Sequence, residues 1–139
     1  MYLRLLLSFS ALLLSLNAVG GPLIQSRILY MSGGIGKDEQ ALMRKYAKDF
    51  NLQLAFSEFK DSEFVAGEEL LIKDARGDTV FALPSAGPLV NLRLPAGRYT
   101  VSASYKGASE AHDVTLEPHG AKTISFRWRA NLPARGPST

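Results

Sequence analysis

The stretch that best defines the fold is Leu94-Pro95-Ala96-Gly97-Arg98-Tyr99-Thr100-Val101-Ser102-Ala103-Ser104-Tyr105. After the Pro-Ala-Gly corner, one face of the extended chain is apolar, formed by Tyr99, Val101, Ala103 and Tyr105. The other face is polar, formed by Arg98, Thr100, Ser102 and Ser104. This alternation is typical of a half-buried strand in an antiparallel sheet. The stretch therefore predicts a β-sandwich rather than an enzyme pocket.

The first twenty residues have the features of a secretory signal peptide. Arg4 supplies a positive charge, and residues 5–16 form an apolar run interrupted only by serines. Small residues follow at 18–20, so we expect cleavage after Gly20. The apolar run is shorter than the roughly 20 residues of a spanning helix, which favours a cleaved signal over the alternative of an uncleaved anchor. Residues 1–20 thus predict export across the inner membrane to the periplasm.

The composition excludes several classes of chemistry. The chain has 139 residues and no cysteine, so disulfides, thiolate zinc sites, iron–sulfur clusters and cysteine nucleophiles are excluded. The formal net charge of +3 is a small excess of 16 basic over 13 acidic residues and says little about a polyanionic partner. Removal of residues 1–20 leaves 119 residues (139 minus 20), enough for one domain to bury a core.

Residues 21–64 predict a helix followed by a strand. The range 37–50 carries an apolar stripe at helical spacing, formed by Leu42, Met43, Tyr46, Ala47 and Phe50. Asn51 is expected to end this helix in the left-handed conformation. Period-two alternation at 52–57 predicts a strand, and the polar, acidic range 59–67 predicts a linker or a surface loop.

From Glu68 onward the pattern is that of an all-β domain. Alternating stretches recur about every 8 to 12 residues, separated by turns rich in glycine and proline. We expect residues 65–130 to form an antiparallel β-sandwich, which makes the protein mostly β, with about seven strands and one N-terminal α-helix. The range 131–139 contains two prolines and no apolar period, and it predicts a disordered tail.

The chain resembles the carboxypeptidase regulatory-like domain at Leu92-Arg93-Leu94-Pro95-Ala96-Gly97-Arg98-Tyr99-Thr100-Val101. The stretch 72–80 is similar to an earlier hairpin of that family, and the resemblance spans residues 65–129. It implies a small transthyretin-like or immunoglobulin-like sandwich, a carbohydrate-binding-like fold, in an accessory role. Nothing in the chain resembles the zinc peptidase beside which such domains occur. The whole mature chain also resembles small uncharacterised exported proteins of Gram-negative bacteria.

Motifs for catalysis or metal binding are weak. His112 and His119 lie near Asp113 and Glu117, but strand alternation sends His112 and Asp113 to opposite faces. A zinc site needs three or four converging ligands. The glycine-rich range 32–37 lacks the spacing of a phosphate-binding loop, and no serine lies in a Gly-x-Ser-x-Gly elbow. We therefore expect no catalytic residue, no metal and no cofactor.

The candidate binding residues are four arginines on polar strand faces, Arg93, Arg98, Arg127 and Arg129. If their strands are neighbours, the guanidinium groups form a mildly positive face for an acidic polysaccharide, a lipid headgroup or a protein. The aromatic residues of the same strands face inward and are assigned to the core. Nucleic acid is not an expected partner, because no stacking aromatic accompanies the arginines.

These features together predict a non-catalytic, periplasmic binding or accessory domain. Its expected ligand is a protein or a carbohydrate of the cell envelope, and no transmembrane segment is expected in the mature chain. Two alternatives stay open. One is a structural module that pairs with a partner through a strand edge. The other is a small hydrolase.

Overall fold

Two β-sheets enclose one hydrophobic core in a computed structural model that describes residues 23–25, 27–59 and 63–129. The strands are β1 (Leu23–Gln25), β2 (Ile28–Gly33), β3 (Leu52–Glu58), β4 (Glu68–Asp74), β5 (Thr79–Ala86), β6 (Leu89–Arg93), β7 (Gly97–Tyr105), β8 (Ala108–Leu116) and β9 (Lys122–Trp128). An α-helix, α1 (Gly36–Tyr46), and a 3-10 helix (Ala47–Asp49) lie between β2 and β3. The expected signal peptide at 1–20 and tail at 131–139 lie outside the described residues.

The first sheet has five strands in the order β1-β2-β6-β3-β9. Strand β6 is antiparallel to both β2 and β3, so strands from 21–64 and from 65–130 alternate within this sheet. Both parts of the chain therefore contribute to the same core. The described sheets have five and four strands. Their total of nine exceeds the expected number of about seven, because β1 and β2 add two strands to the first sheet.

One pair of strands departs from the antiparallel pattern that the sequence predicts. Strands β3 and β9 are parallel, with Leu54 opposite Ile124 and Phe56 opposite Phe126. A parallel pair requires a crossover rather than a hairpin. Here the chain passes twice through the second sheet, with β6 of the first sheet in between, before it forms β9. Alternation of apolar and polar residues within a strand does not distinguish parallel from antiparallel pairing, because it does not depend on the direction of the neighbouring strand.

The second sheet has four antiparallel strands in the order β5-β4-β7-β8. The stretch that predicts the sandwich forms β7, where Tyr99, Val101 and Ala103 are buried and Tyr105 is half-buried. The expected inward face of this strand is therefore confirmed. The turn between β4 and β5 contains Gly77 at φ 84°, a backbone conformation that glycine adopts without a steric penalty.

The core between the sheets is rich in aromatic rings. The ring centroids of Phe56 and Phe126 are 5.2 Å apart in a stacked arrangement, and Trp128 stacks on Phe56 at 6.0 Å. Tyr30 meets Phe81 edge to face at 5.0 Å. Each fully buried apolar side chain stabilises the fold by about 1.5–3 kcal/mol. The inward assignment of Phe126 and Trp128 is confirmed, since both are buried.

Helix α1 lies on the outer face of the first sheet. A small second cluster of Met31, Met43 and Phe50 fills the contact. The buried side chain of Asn91 donates from Nδ2 to the carbonyl oxygen of Met43 at 3.0 Å, which ties the helix to β6. Asp38 and Glu39 lie in the first turn, where they complement the helix dipole.

The end of this helical segment differs from the expectation for Asn51. Among the described residues other than glycine, only Arg27 and Lys106 have positive φ, so the predicted left-handed stop at Asn51 is wrong. Phe50 is already extended, at φ −123° and ψ 153°. The chain therefore continues straight into β3, and the Asn51 carboxamide bonds to the backbone of Leu94 instead.

Candidate functional site

The four candidate arginines do not share one face. Arg98 lies on β7, in the second sheet, whereas Arg93 lies on β6 and Arg127 on β9 in the first sheet, and Arg129 directly follows β9. Each outward face points away from the common core, so Arg98 lies on the opposite side of the sandwich. Strand alternation assigns these residues to outer faces, but it does not say which sheet each strand joins.

Within the first sheet, Arg93 is also remote from Arg127 and Arg129. The β3–β6 register places Arg93 just beyond the Leu52–Leu92 pair, at the start of β3. Arg127 is opposite Ser57, near the end of β3. Six residues of strand separate Asn51 from Ser57, which corresponds to roughly 20 Å. Only Arg127 and Arg129 remain as neighbours on one surface.

Two exposed aromatic rings accompany these two arginines. Phe59 and Phe64 are 56% and 42% exposed, and with Ile35 they are the exposed large apolar residues of the described chain. Ser57 forms an isolated antiparallel bridge with Phe64 and lies opposite Arg127 on its other side. Phe64 and Arg127 therefore flank Ser57 on the outer face of the sheet. We call Phe59, Phe64, Arg127 and Arg129 the aromatic–arginine patch.

Backbone hydrogen bonds hold the two rings of the patch in place. The Phe59 N–H donates to the carbonyl oxygen of Trp128 at 2.6 Å, which continues the β3–β9 pairing by one residue. Glu58 N–H donates to Glu63 O at 2.8 Å, and Val65 N–H donates to Phe56 O at 3.1 Å. These bonds make the two ends of the 59–67 segment a continuation of the sheet. The sequence predicts only a polar loop there.

The electrostatics of the patch favour an anionic ligand. The guanidinium carbon of Arg129 lies 5.8 Å from the Phe59 ring centroid, a cation–π contact. Within the described residues, neither Arg127 nor Arg129 forms a salt bridge. Two ion pairs lie near the patch: Lys106 with Glu58 at 4.0 Å and His112 with Glu110 at 2.9 Å. Two unpaired guanidinium groups beside two open rings can bind a carboxylate and an apolar surface together.

The edge beside the patch is closed by a carboxylate. Glu110 on β8 accepts a hydrogen bond from the backbone N–H of Arg127 at 3.2 Å through Oε2. Its Oε1 lies 2.9 Å from His112 Nε2, and the His112 ring meets Phe126 edge to face at 4.9 Å. The Arg127 amide, on the free edge of β9, is therefore already bonded within the chain.

His119 lies in the turn between β8 and β9, and the described residues contain no group of three or more potential metal ligands.

A buried carboxyl group that is not among the predicted site residues lies at the start of β4. Glu68 is 0% exposed, and neither of its carboxyl oxygens has a hydrogen-bond partner within the described chain. Burial raises its pKa to about 7, against 4.5 for a glutamate in water. The inward parity of Glu68 with Leu70 and Ile72 is a signal in the sequence that marks this side chain as buried.

Two clefts meet at the opposite end of the second sheet, and both are lined by Asp74 and Tyr99. The cleft that includes Arg98 has a volume of about 300 Å³ and also contains Asp113, so its one guanidinium faces two carboxylates. The Tyr99 hydroxyl donates to Pro95 O at 2.7 Å. Burial, with a smaller contribution from Asp74, raises the pKa of Tyr99. This end is less suited to an anion than the patch.

No protein-family model matches the chain, and no curated protein matches it. Within the described residues, no helix is both long and apolar enough to cross a membrane.

Proposed function

We propose that this protein is an exported, non-catalytic binding module of the bacterial envelope, and that it binds an acidic carbohydrate at the aromatic–arginine patch. The observation that carries the proposal is the pair of exposed rings, Phe59 and Phe64, beside two arginines whose guanidinium groups form no salt bridge among the described residues. The resemblance of residues 65–129 to the carboxypeptidase regulatory-like domain supports an accessory role.

The chemistry of the patch matches a sugar acid in two ways. A sugar ring has an apolar face of C–H groups that packs on an aromatic ring, and Phe59 and Phe64 offer such rings on one surface. A uronic acid also carries a carboxylate, which a guanidinium group binds with two parallel hydrogen bonds. Arg127 and Arg129 lie two residues apart on the same outer face, so both can reach one chain of sugars.

Pairing through a strand edge is the alternative that the geometry supports less at this position. A partner strand on β9 needs free backbone amides along the edge. The Glu110 carboxylate already accepts a hydrogen bond from the Arg127 backbone N–H there. A protein ligand at the patch would use the same four side chains and is distinguished by experiment.

The direct test is calorimetric titration of the purified exported chain with oligogalacturonate, and with a neutral glucan of equal length. We expect binding of the acidic chain only. The double variants Phe59→Ala/Phe64→Ala and Arg127→Ser/Arg129→Ser should each weaken it about tenfold or more. Arg98→Ser, on the opposite sheet, is the matched control and should bind as the parent does. Equal binding by the patch variants contradicts the proposal, as does equal binding of the neutral glucan.

Export and absence of catalysis are tested separately. The mature protein should appear in the periplasmic fraction with its N-terminus at Gly21, and an intact Met1 in that fraction contradicts cleavage. A broad hydrolase screen with the same preparation should give no turnover. Turnover that disappears in one of the patch variants would favour the hydrolase alternative.

A further inference from the structure

A second cationic cleft lies at the other end of the first sheet, far from the patch. Its volume is about 380 Å³. Three parts of the chain line it: the end of the 3-10 segment, the end of β6 and the turn between β8 and β9. The lining residues that matter here are Lys48, Phe50, Asn51, Arg93, His119 and Gly120. Arg93 is thus the one candidate arginine that this cleft contains.

The charges in this cleft are not balanced. Lys48, Arg93 and His119 line it, and none of the described residues adds a carboxylate side chain to its lining. Asp49 and Glu117 are the nearest acids in sequence, and neither forms a salt bridge with these basic groups in the described chain. The cleft that includes Arg98, by contrast, contains the carboxylates of Asp74 and Asp113.

The Arg93 guanidinium is held in position before any ligand arrives. Its Nη1 donates to the carbonyl oxygen of Asp49 at 2.8 Å, which leaves its other N–H groups for a ligand. The walls of the cleft are fixed through Asn51, which bonds to the Leu94 backbone through its side chain and accepts the Lys122 N–H at 3.0 Å. A preorganised guanidinium group loses less conformational entropy on binding than a mobile one.

We propose that this cleft binds a phosphate group. Arg93 would bind two phosphate oxygens, with Lys48 as a point charge and His119 as a further donor on the turn. Gly120 also lines the cleft, and its backbone N–H has no partner within the described chain. The site is independent of the aromatic–arginine patch, because it lies at the opposite end of β3.

The test follows the backbone amide resonances of the nitrogen-15-labelled exported chain during titration with inorganic phosphate at low salt. We expect shifts confined to residues 48–51, 93 and 118–121. The variants Arg93→Ser and Lys48→Ser should each weaken binding about tenfold. Arg76→Ser, in the exposed β4–β5 turn, and Arg129→Ser, in the patch, should not change it. Retention by Arg129→Ser separates this site from the proposed carbohydrate site.

Two sources of phosphate are distinguished by sedimentation with vesicles of phosphatidylglycerol and of phosphatidylcholine. Binding of free phosphate without vesicle binding identifies a soluble phosphate ligand. Vesicle binding that depends on Arg93 and on the anionic lipid identifies a lipid headgroup. The proposal is overturned if neither probe binds, or if Arg93→Ser binds either probe as the parent does.

Discussion

The side-chain amide of Asn51 bonds to both backbone groups of Leu94. Its Nδ2 donates to Leu94 O at 2.7 Å, and its Oδ1 accepts from Leu94 N at 2.9 Å. The backbone N–H of Asn51 also donates to Leu92 O at 3.1 Å. One residue therefore joins the start of β3 to the chain just before the Pro95-Ala96-Gly97 corner.

Loss of this pair should destabilise the fold. We expect Asn51→Ala to lower the free energy of unfolding by about 1–3 kcal/mol, because both backbone groups of buried Leu94 lose their partner. Asn51→Asp keeps the acceptor but loses the donor, and should fall between the parent and Asn51→Ala near neutral pH. Urea denaturation measures all three. A change in Asn51→Ala below about 0.5 kcal/mol contradicts the role given to this side chain.

Buried Glu68 predicts a pH dependence of stability. Its pKa is raised from 4.5 to about 7 by burial. The folded protein therefore retains the proton at pH values where the unfolded chain has released it, so stability falls as pH rises from about 4.5 to about 7. The full effect is at most about 3 kcal/mol. Below about 4.5 both states are protonated, and the contribution no longer changes with pH.

The variant Glu68→Gln isolates this effect. Glutamine has nearly the same shape but does not titrate, so the slope of stability between those pH values should be smaller in the variant than in the parent. Glu69→Gln, one residue later and exposed, is the control and should keep the parent slope. Parallel curves for Glu68→Gln and the parent would rule out a role for Glu68.

A close contact between loop and strand predicts that Gly87 tolerates no side chain. A Cβ at Gly87 would lie 2.8 Å from the backbone N and O of Gly33 on β2. The Gly87 N–H also donates to Ser32 Oγ at 2.8 Å. Gly87→Ala should destabilise the protein by about 1–3 kcal/mol, since backbone must move. Ser85→Ala, exposed on the neighbouring segment, should be neutral in thermal unfolding. A neutral Gly87→Ala would refute the contact.

Substitution of the exposed rings of the patch should weaken ligand binding with little effect on the stability of the fold. Phe59 and Phe64 are 56% and 42% exposed, so Phe59→Ser and Phe64→Ser should each lower the unfolding free energy by less than about 1.5 kcal/mol while carbohydrate binding is weakened. Phe56→Ala, in the core directly before them, should cost about 3–5 kcal/mol. Denaturant unfolding and calorimetric binding on the same preparations provide both readouts. Large destabilisation by Phe64→Ser would assign the ring to structure instead.

The sequence was informative about faces and less informative about neighbours. Alternation identified the buried side of β7 and β9, because Tyr99, Val101 and Trp128 occupy inward positions that local periodicity reveals. It did not separate Arg98 from Arg127, since two strands with outward arginines look alike whether they share a sheet or not. The polar range 59–67 concealed Phe59 and Phe64 for a similar reason. Their place beside Arg129 depends on β3 pairing with β9, which are far apart in the chain.

The sequence by itself determined the β-rich character of the chain, the inward rings and the absence of thiol chemistry. These follow from local periodicity and composition. Only the tertiary structure decided that β6 lies between β2 and β3, that β9 is parallel to β3, and that the four candidate arginines are divided among the patch, the cationic cleft and the opposite sheet. Strand order depends on which apolar faces pack against each other across the whole core. This packing is a property of pairs of distant segments, so no single stretch of sequence reveals it.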